Sequence, residues 1–106
     1  MAVTVVNDDV FTNEIQTHSL VVVKYYADWC GACKLFAPKF RRLSEDARFS
    51  SVRFLDVNAE ENENARKMAG VDNLPFFAII KNGELMEGQS TSKEENVVAM
   101  LEKLIS

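Results

Sequence analysis

The sequence predicts an α/β fold, a mixed central β-sheet with helices on both faces, and three observations point to it. Short runs of β-branched and aromatic residues alternate along the chain with stretches of helical periodicity. The run Leu20–Ala27 is apolar except for Lys24, the pattern of a central strand buried on both faces. Lys81-Asn82-Gly83 lies between two strand-like runs, and Asn-Gly in that setting is a strong hairpin signal.

Val3–Val6 reads as a first strand. Asn7 and Asp8 are good N-cap residues, and Val10, Phe11 and Ile15 then recur at helical spacing. After the central strand, Cys33 to about Ala47 reads as a helix with Phe36, Phe40 and Leu43 on one stripe. Pro38 lies inside it and is expected to kink it, because its ring crowds the carbonyl of Lys34. Val52–Val57 is a further strand. Asn58 with Glu61 resembles a capping arrangement, and Ala65 and Met68 carry a helix to Gly70. Phe76–Ile80 and Glu84–Met86 form the hairpin arms. Ser92-Lys93-Glu94-Glu95 has the form of a capping box, followed by an apolar face of Val97, Val98, Leu101, Leu104 and Ile105. The order β-α-β-α-β-α-β-β-α implies parallel pairing through right-handed crossovers, with the hairpin adding an antiparallel edge.

The 106 residues fit one domain, residues 1–106, able to bury its own core. A net charge of −4 argues against nucleic-acid binding, and the one tight basic pair, Arg41–Arg42, fits a solvated helix face. No apolar window approaches the roughly 20 residues of a membrane span, and the N-terminal stretch lacks the form of a leader, so the expected location is cytoplasmic.

The two cysteines, Cys30 and Cys33, are three apart. A disulfide framework wants several bridges at wider spacing, whereas paired thiols in a reducing compartment are catalytic, redox-sensing or metal-binding. Half a zinc site lacks its remaining ligands, and the single histidine, His18, lies near the end of the first helix as a surface or cap residue. The motif Trp29-Cys30-Gly31-Ala32-Cys33-Lys34 falls between a buried strand and a helix. Cys30 is thereby expected at a helix N-terminus, where free N–H groups and the helix dipole favour a thiolate. Gly31 is expected to let the backbone turn without a Cβ clash. Cys30 can attack a substrate disulfide, and Cys33, one turn on, can resolve the mixed disulfide. Trp29 either packs or shapes the site.

The run Lys24–Lys34 resembles the active-site signature of the thioredoxin family, as do Ala37-Pro38, Leu74-Pro75 and Lys81-Asn82-Gly83-Glu84, in the family's order over nearly the whole chain. The resemblance implies the thioredoxin fold, with four or five strands, and a protein-disulfide reductase. It implies a cis Leu74–Pro75 bond lying against the cysteines, with the backbone of Leu74 pairing to the substrate chain and Val71, Asp72 and Asn73 lining the same groove. Trp29, Gly31 and Ala32 complete the substrate surface. The implied partners are disulfide-containing proteins and a flavin-dependent reductase that uses NADPH. A monomer without a resident cofactor or metal is expected.

Three departures from the family stand out. Gly31-Ala32 replaces the usual Gly-Pro between the cysteines, which bears on the redox potential. Lys24 stands where the family has a buried aspartate that accepts a proton from the second cysteine, and Asp56 stands where many members have a lysine. The pair reads as charge-swapped, with Lys24 paired to Asp56 and supporting the Cys33 thiolate. The alternatives are that neutral Lys24 acts as the base, or that Lys24 snorkels out and Asp56 is a polar strand residue. Third, Phe76 follows Pro75 and, with Phe77, Trp29 and Leu74, is expected to make the substrate surface more apolar, while alternation sends one phenylalanine to the core. Two other functions remain: a disulfide oxidase or isomerase, and a binding module in which the cysteines are dispensable.

Overall fold

The computed structural model describes residues 3–106; residues 1 and 2, part of the stretch read for a leader, lie outside it. Its elements are β1 (Thr4–Val5), α1 (Asp8–Thr17), β2 (Leu20–Tyr26), α2 (Gly31–Ser44), β3 (Arg53–Asn58), α3 (Glu63–Ala69), β4 (Phe76–Lys81), β5 (Glu84–Ser90) and α4 (Glu94–Ile105). A 3₁₀ turn, Ala47–Phe49, joins α2 to β3. The five strands form one mixed sheet in the order β1-β3-β2-β4-β5.

Period-two alternation divides β2 between two cores. Val21, Val23 and Tyr25 join Phe11, Ile15, Leu55, Val57 and Ala65 on the face covered by α1 and α3. Val22 joins Phe36, Phe40, Phe54, Val97, Leu101 and Leu104 on the face covered by α2 and α4. Phe76 falls to the first core and Phe77 to the second. Both are buried, so neither adds to the substrate surface, contrary to the sequence expectation. Lys24 is in phase with Val22 and therefore points under α2.

The pairing of β4 also departs from expectation. β3 runs parallel to β1 and β2, but β4 is antiparallel to β2, with Phe76 opposite Tyr25. Tyr26 pairs with Asn58, so β2 and β3 finish where β4 begins. The seven residues of α3, about 10 Å of helix, and the segment 70–75 make an excursion out and back instead of a crossover.

Several local signals appear where the residues place them. Asn82 and Gly83 have φ of 53° and 83°, the left-handed turn an Asn-Gly hairpin requires. Gly70, at φ 68°, ends α3 in the left-handed cap. His18 caps the C-terminus of α1.

Other boundaries move. α2 starts at Gly31 and continues through Pro38 to Ser44. β5 continues to Ser90, since its polar outer face hides the ladder it makes with β4. Asn7 makes no side-chain cap. α3 starts after Asn62, not Asn58, and its cap comes from another element: the Asp8 carboxylate accepts the N–H groups of Asn64 and Ala65. The capping box at Ser92 does not form; Lys93 is the N-cap, and the Thr91 hydroxyl instead accepts the Lys93 N–H and an Asn96 side-chain N–H. Among the described residues no helix is long and apolar enough to cross a membrane.

Candidate functional site

The cysteines lie where β2 gives way to α2, at the end of the sheet where β3 also finishes and β4 begins. Cys30 is the N-cap of α2 and is disulfide-bonded to Cys33. Its Sγ accepts the backbone N–H of Cys33 at 3.1 Å. The same donor, with the helix dipole behind it, would stabilise a Cys30 thiolate on reduction. Cys30 and Cys33 are 5% and 3% exposed in the oxidised form, so helix position distinguishes them and access does not. Among the described residues, nothing lies within 4 Å of where a Cβ on Gly31 would be, so the clash expected there is not found. Ala32 is exposed beside it.

Ala27 and Leu74 pack against the two cysteines. The Leu74–Pro75 peptide bond is cis. A groove of about 240 Å3 brings together Trp29, Val71, Asp72, Asn73 and Leu74, five of the positions read from the sequence. Trp29 is 68% exposed, and its indole N–H donates to Glu60 Oε2 at 2.6 Å. Glu60 and Arg66 line the same groove and escaped sequence reading. Arg66 is anchored by donating to the Ala59 carbonyl at 2.7 Å. The available signal was topological: the loop after β3 must lie beside the loop after the neighbouring parallel strand β2.

On the other side of the cysteines, Lys24, Tyr26, Asp28, Cys33, Lys34 and Asp56 line a crevice of about 210 Å3. Lys24 and Asp56 are directly paired across β2 and β3. Lys24 is 3% exposed, with Nζ 3.5 Å from Asp56 Oδ1, so it does not snorkel to solvent. The Phe40 and Tyr26 rings lie 5.4 and 5.9 Å from the ammonium and favour its charged form. Asp56 Oδ1 is buried, and among the described residues the Lys24 ammonium at 3.5 Å is its partner. Burial pushes the Lys24 ammonium below the ordinary lysine value, against the pull of Asp56. Burial likewise pushes the Asp56 carboxyl up, against the pull of Lys24. Desolvation thus outweighs attraction for both partners, as it does for many buried ion pairs. Among the described residues no group of three or more His, Cys, Asp or Glu side chains is placed to hold a metal.

The thioredoxin family model matches residues 2–103. The chain belongs to the thioredoxin family. It is 37% identical over 84 residues to Thioredoxin-T of Drosophila melanogaster, covering 79% of this chain and 53% of that protein. It is 32% identical over 106 residues to the chloroplastic thioredoxin F of Oryza sativa subsp. japonica, covering 98% and 56%. The chain therefore spans about half the length of these curated relatives. A solved complex of ferredoxin:thioredoxin reductase and thioredoxin f2 contains a chain similar at 30% identity and a TM-score of 0.91, covering 99% of this chain and 96% of that one. The fold is thus the thioredoxin fold, and the disulfide-bonded Cys30–Cys33 is a thioredoxin redox pair. Thioredoxin relatives occur in the chloroplast, and a thioredoxin reductase partners one of them.

Proposed function

We propose that the chain reduces protein disulfides by dithiol exchange, and the observation that supports this most is the Cys30–Cys33 disulfide at the N-terminus of α2 beside an open groove. The Cys30 thiolate attacks one substrate sulfur, forming a mixed disulfide while the substrate S–S bond breaks and its leaving thiolate takes a proton. Cys33 then loses its proton and attacks Cys30 Sγ; the mixed disulfide breaks, and the second substrate thiol is released. Two electrons pass from the dithiol to the substrate. Trp29, Gly31, Ala32, Val71, Asp72, Asn73, Leu74 and Pro75 form the substrate surface, with the Leu74 backbone pairing to the substrate chain. Lys24 stays cationic beside Asp56 and stabilises the Cys33 thiolate through the shared crevice.

The chain works as a cytoplasmic monomer recharged by an NADPH-dependent flavin reductase. Its cysteine usage supports a reducing compartment, because both cysteines belong to the redox pair. An equilibrium redox titration of Cys30–Cys33, coupled to an insulin-reduction assay, tests the function. A reducing potential with turnover that vanishes in a Cys30→Ser, Cys33→Ser double variant is expected. Retained activity in that variant would favour a binding module, and an oxidising potential an oxidase or isomerase.

A further inference from the structure

Several polar groups at the groove beside the cysteines already have partners. The Trp29 indole N–H is held by Glu60, and the Arg66 guanidinium by the Ala59 carbonyl. The Pro75 carbonyl accepts the Thr91 N–H and the Ser90 hydroxyl. Pro75 has no N–H to offer, so the nearest backbone donor before it is the amide of Leu74, whose side chain packs against the cluster of Ala27, Cys30 and Cys33. That amide is also occupied: it donates to Asn73 Oδ1 at 2.9 Å, in an exposed position. The Asn73 side chain thus places a carbonyl oxygen where an incoming peptide would place its own.

We propose that Asn73 is a specificity gate, its side-chain oxygen competing with the substrate's backbone carbonyl for the Leu74 N–H. The proposal rests on the reading of residues 71–75 as the substrate groove. An exposed hydrogen bond is worth little net, because water and other acceptors exchange with it at small cost. An exposed side chain also changes rotamer in picoseconds to nanoseconds, far faster than a disulfide exchanges. The contact therefore keeps the amide satisfied in the free protein without locking the groove. A disulfide set in an extended peptide supplies a replacement acceptor and gains the strand-like pairing. A small disulfide with no peptide backbone gains nothing from displacing Asn73. The gate thus sets how strongly a peptide-borne disulfide is preferred over a bare one, and it weakens binding of every peptide that must displace it. Asn73 acts through the Leu74 amide and is a positioning residue.

The test compares reduction of insulin with reduction of 2-hydroxyethyl disulfide, a disulfide without a backbone, as the ratio of the two kcat/KM values. Asn73→Ala removes the competing oxygen, so the ratio is expected to rise about two- to threefold, the low end of one net hydrogen bond. The rise should appear in KM for insulin, not in kcat. Asn73→Asp keeps an acceptor at the same place and makes it a charge-assisted one, so its ratio is expected to fall below that of the parent chain. Trapping by a Cys33→Ser chain gives a second readout: adduct formation with insulin should accelerate in the Asn73→Ala background by the same factor. An unchanged or lowered ratio in Asn73→Ala would overturn the gate while leaving the reductase reading intact. Failure of the parent chain to reduce either disulfide would overturn that reading, and the gate with it.

Discussion

At the scale of single residues, the proposed mechanism turns on the ion pair of the buried Lys24 with Asp56. A protonated lysine cannot accept the proton of Cys33, but it can lower the cost of the thiolate that forms. Lys24→Met is therefore expected to raise the pKa of Cys33 and slow resolution of the mixed disulfide, with Lys24→Arg retaining more activity than Met. Stopped-flow resolution rates and pH-dependent thiol labelling measure both. The same substitution bears on stability. Between the lowered native pKa of Lys24 and its ordinary 10.5, the unfolded chain binds the proton that the native chain has released. The Lys24 contribution to stability should therefore rise with pH across that window, opposite in sign to that of Tyr25, whose pKa burial raises, and it should be absent in Lys24→Met. The raised carboxyl of Asp56 works in the opposite sense. Just above the ordinary carboxylate range the native chain holds the extra proton, so stability falls there as pH rises. Denaturant titrations at a series of pH values read both arms; a Lys24→Met chain with the parent's alkaline slope would count against a buried, strained ammonium.

At the scale of elements, the helices are held as much by their neighbours as by their own sequences. Asp8 in the first turn of α1 supplies the N-terminal cap of α3, and Asn62 returns the favour by accepting the Asp8 N–H at 2.8 Å. Asp8→Ala is expected to cost about 1 kcal/mol, with the range of an N-cap loss, and to loosen α3 more than α1. Hydrogen exchange resolved by residue, together with a denaturation curve, would show it; equal loosening of both helices would place the effect elsewhere. This reciprocal clasp explains why the capping signal at Asn58 misled, while Asn7 stands as the N-cap residue of α1 without a side-chain bond. Cap chemistry read along the chain cannot see an acceptor 56 residues away. The signals that held were those a residue imposes on its own backbone, such as the turn at Asn82-Gly83 and the stop at Gly70. The apolar stripe of α2 was legible for the same reason, since burial follows its periodicity at Phe36, Phe40 and Leu43.

At the scale of the whole molecule, the site is a product of topology. β2 and β3 end together, α2 starts there, and the antiparallel β4 begins there, so residues from four stretches of chain meet around one pair of sulfurs. Cys30, Cys33, Trp29 and the segment Val71–Pro75 were legible because a motif or a family pattern marks them. Glu60 and Arg66 were not, since their place in the groove follows only from strand order and from the short excursion that brings α3 alongside. The antiparallel entry of β4 was hidden for a related reason: helical periodicity in α3 does not say which way the chain leaves it. The proposed dithiol exchange requires a division of labour between the two sulfurs, and the most direct measurement of it is mass spectrometry of trapped adducts. A Cys33→Ser chain mixed with insulin should accumulate a mixed disulfide through Cys30, and a Cys30→Ser chain should form none at a comparable rate. An adduct that forms preferentially through Cys33, or multiple turnover by the Cys33→Ser chain at the parent rate, would contradict the account.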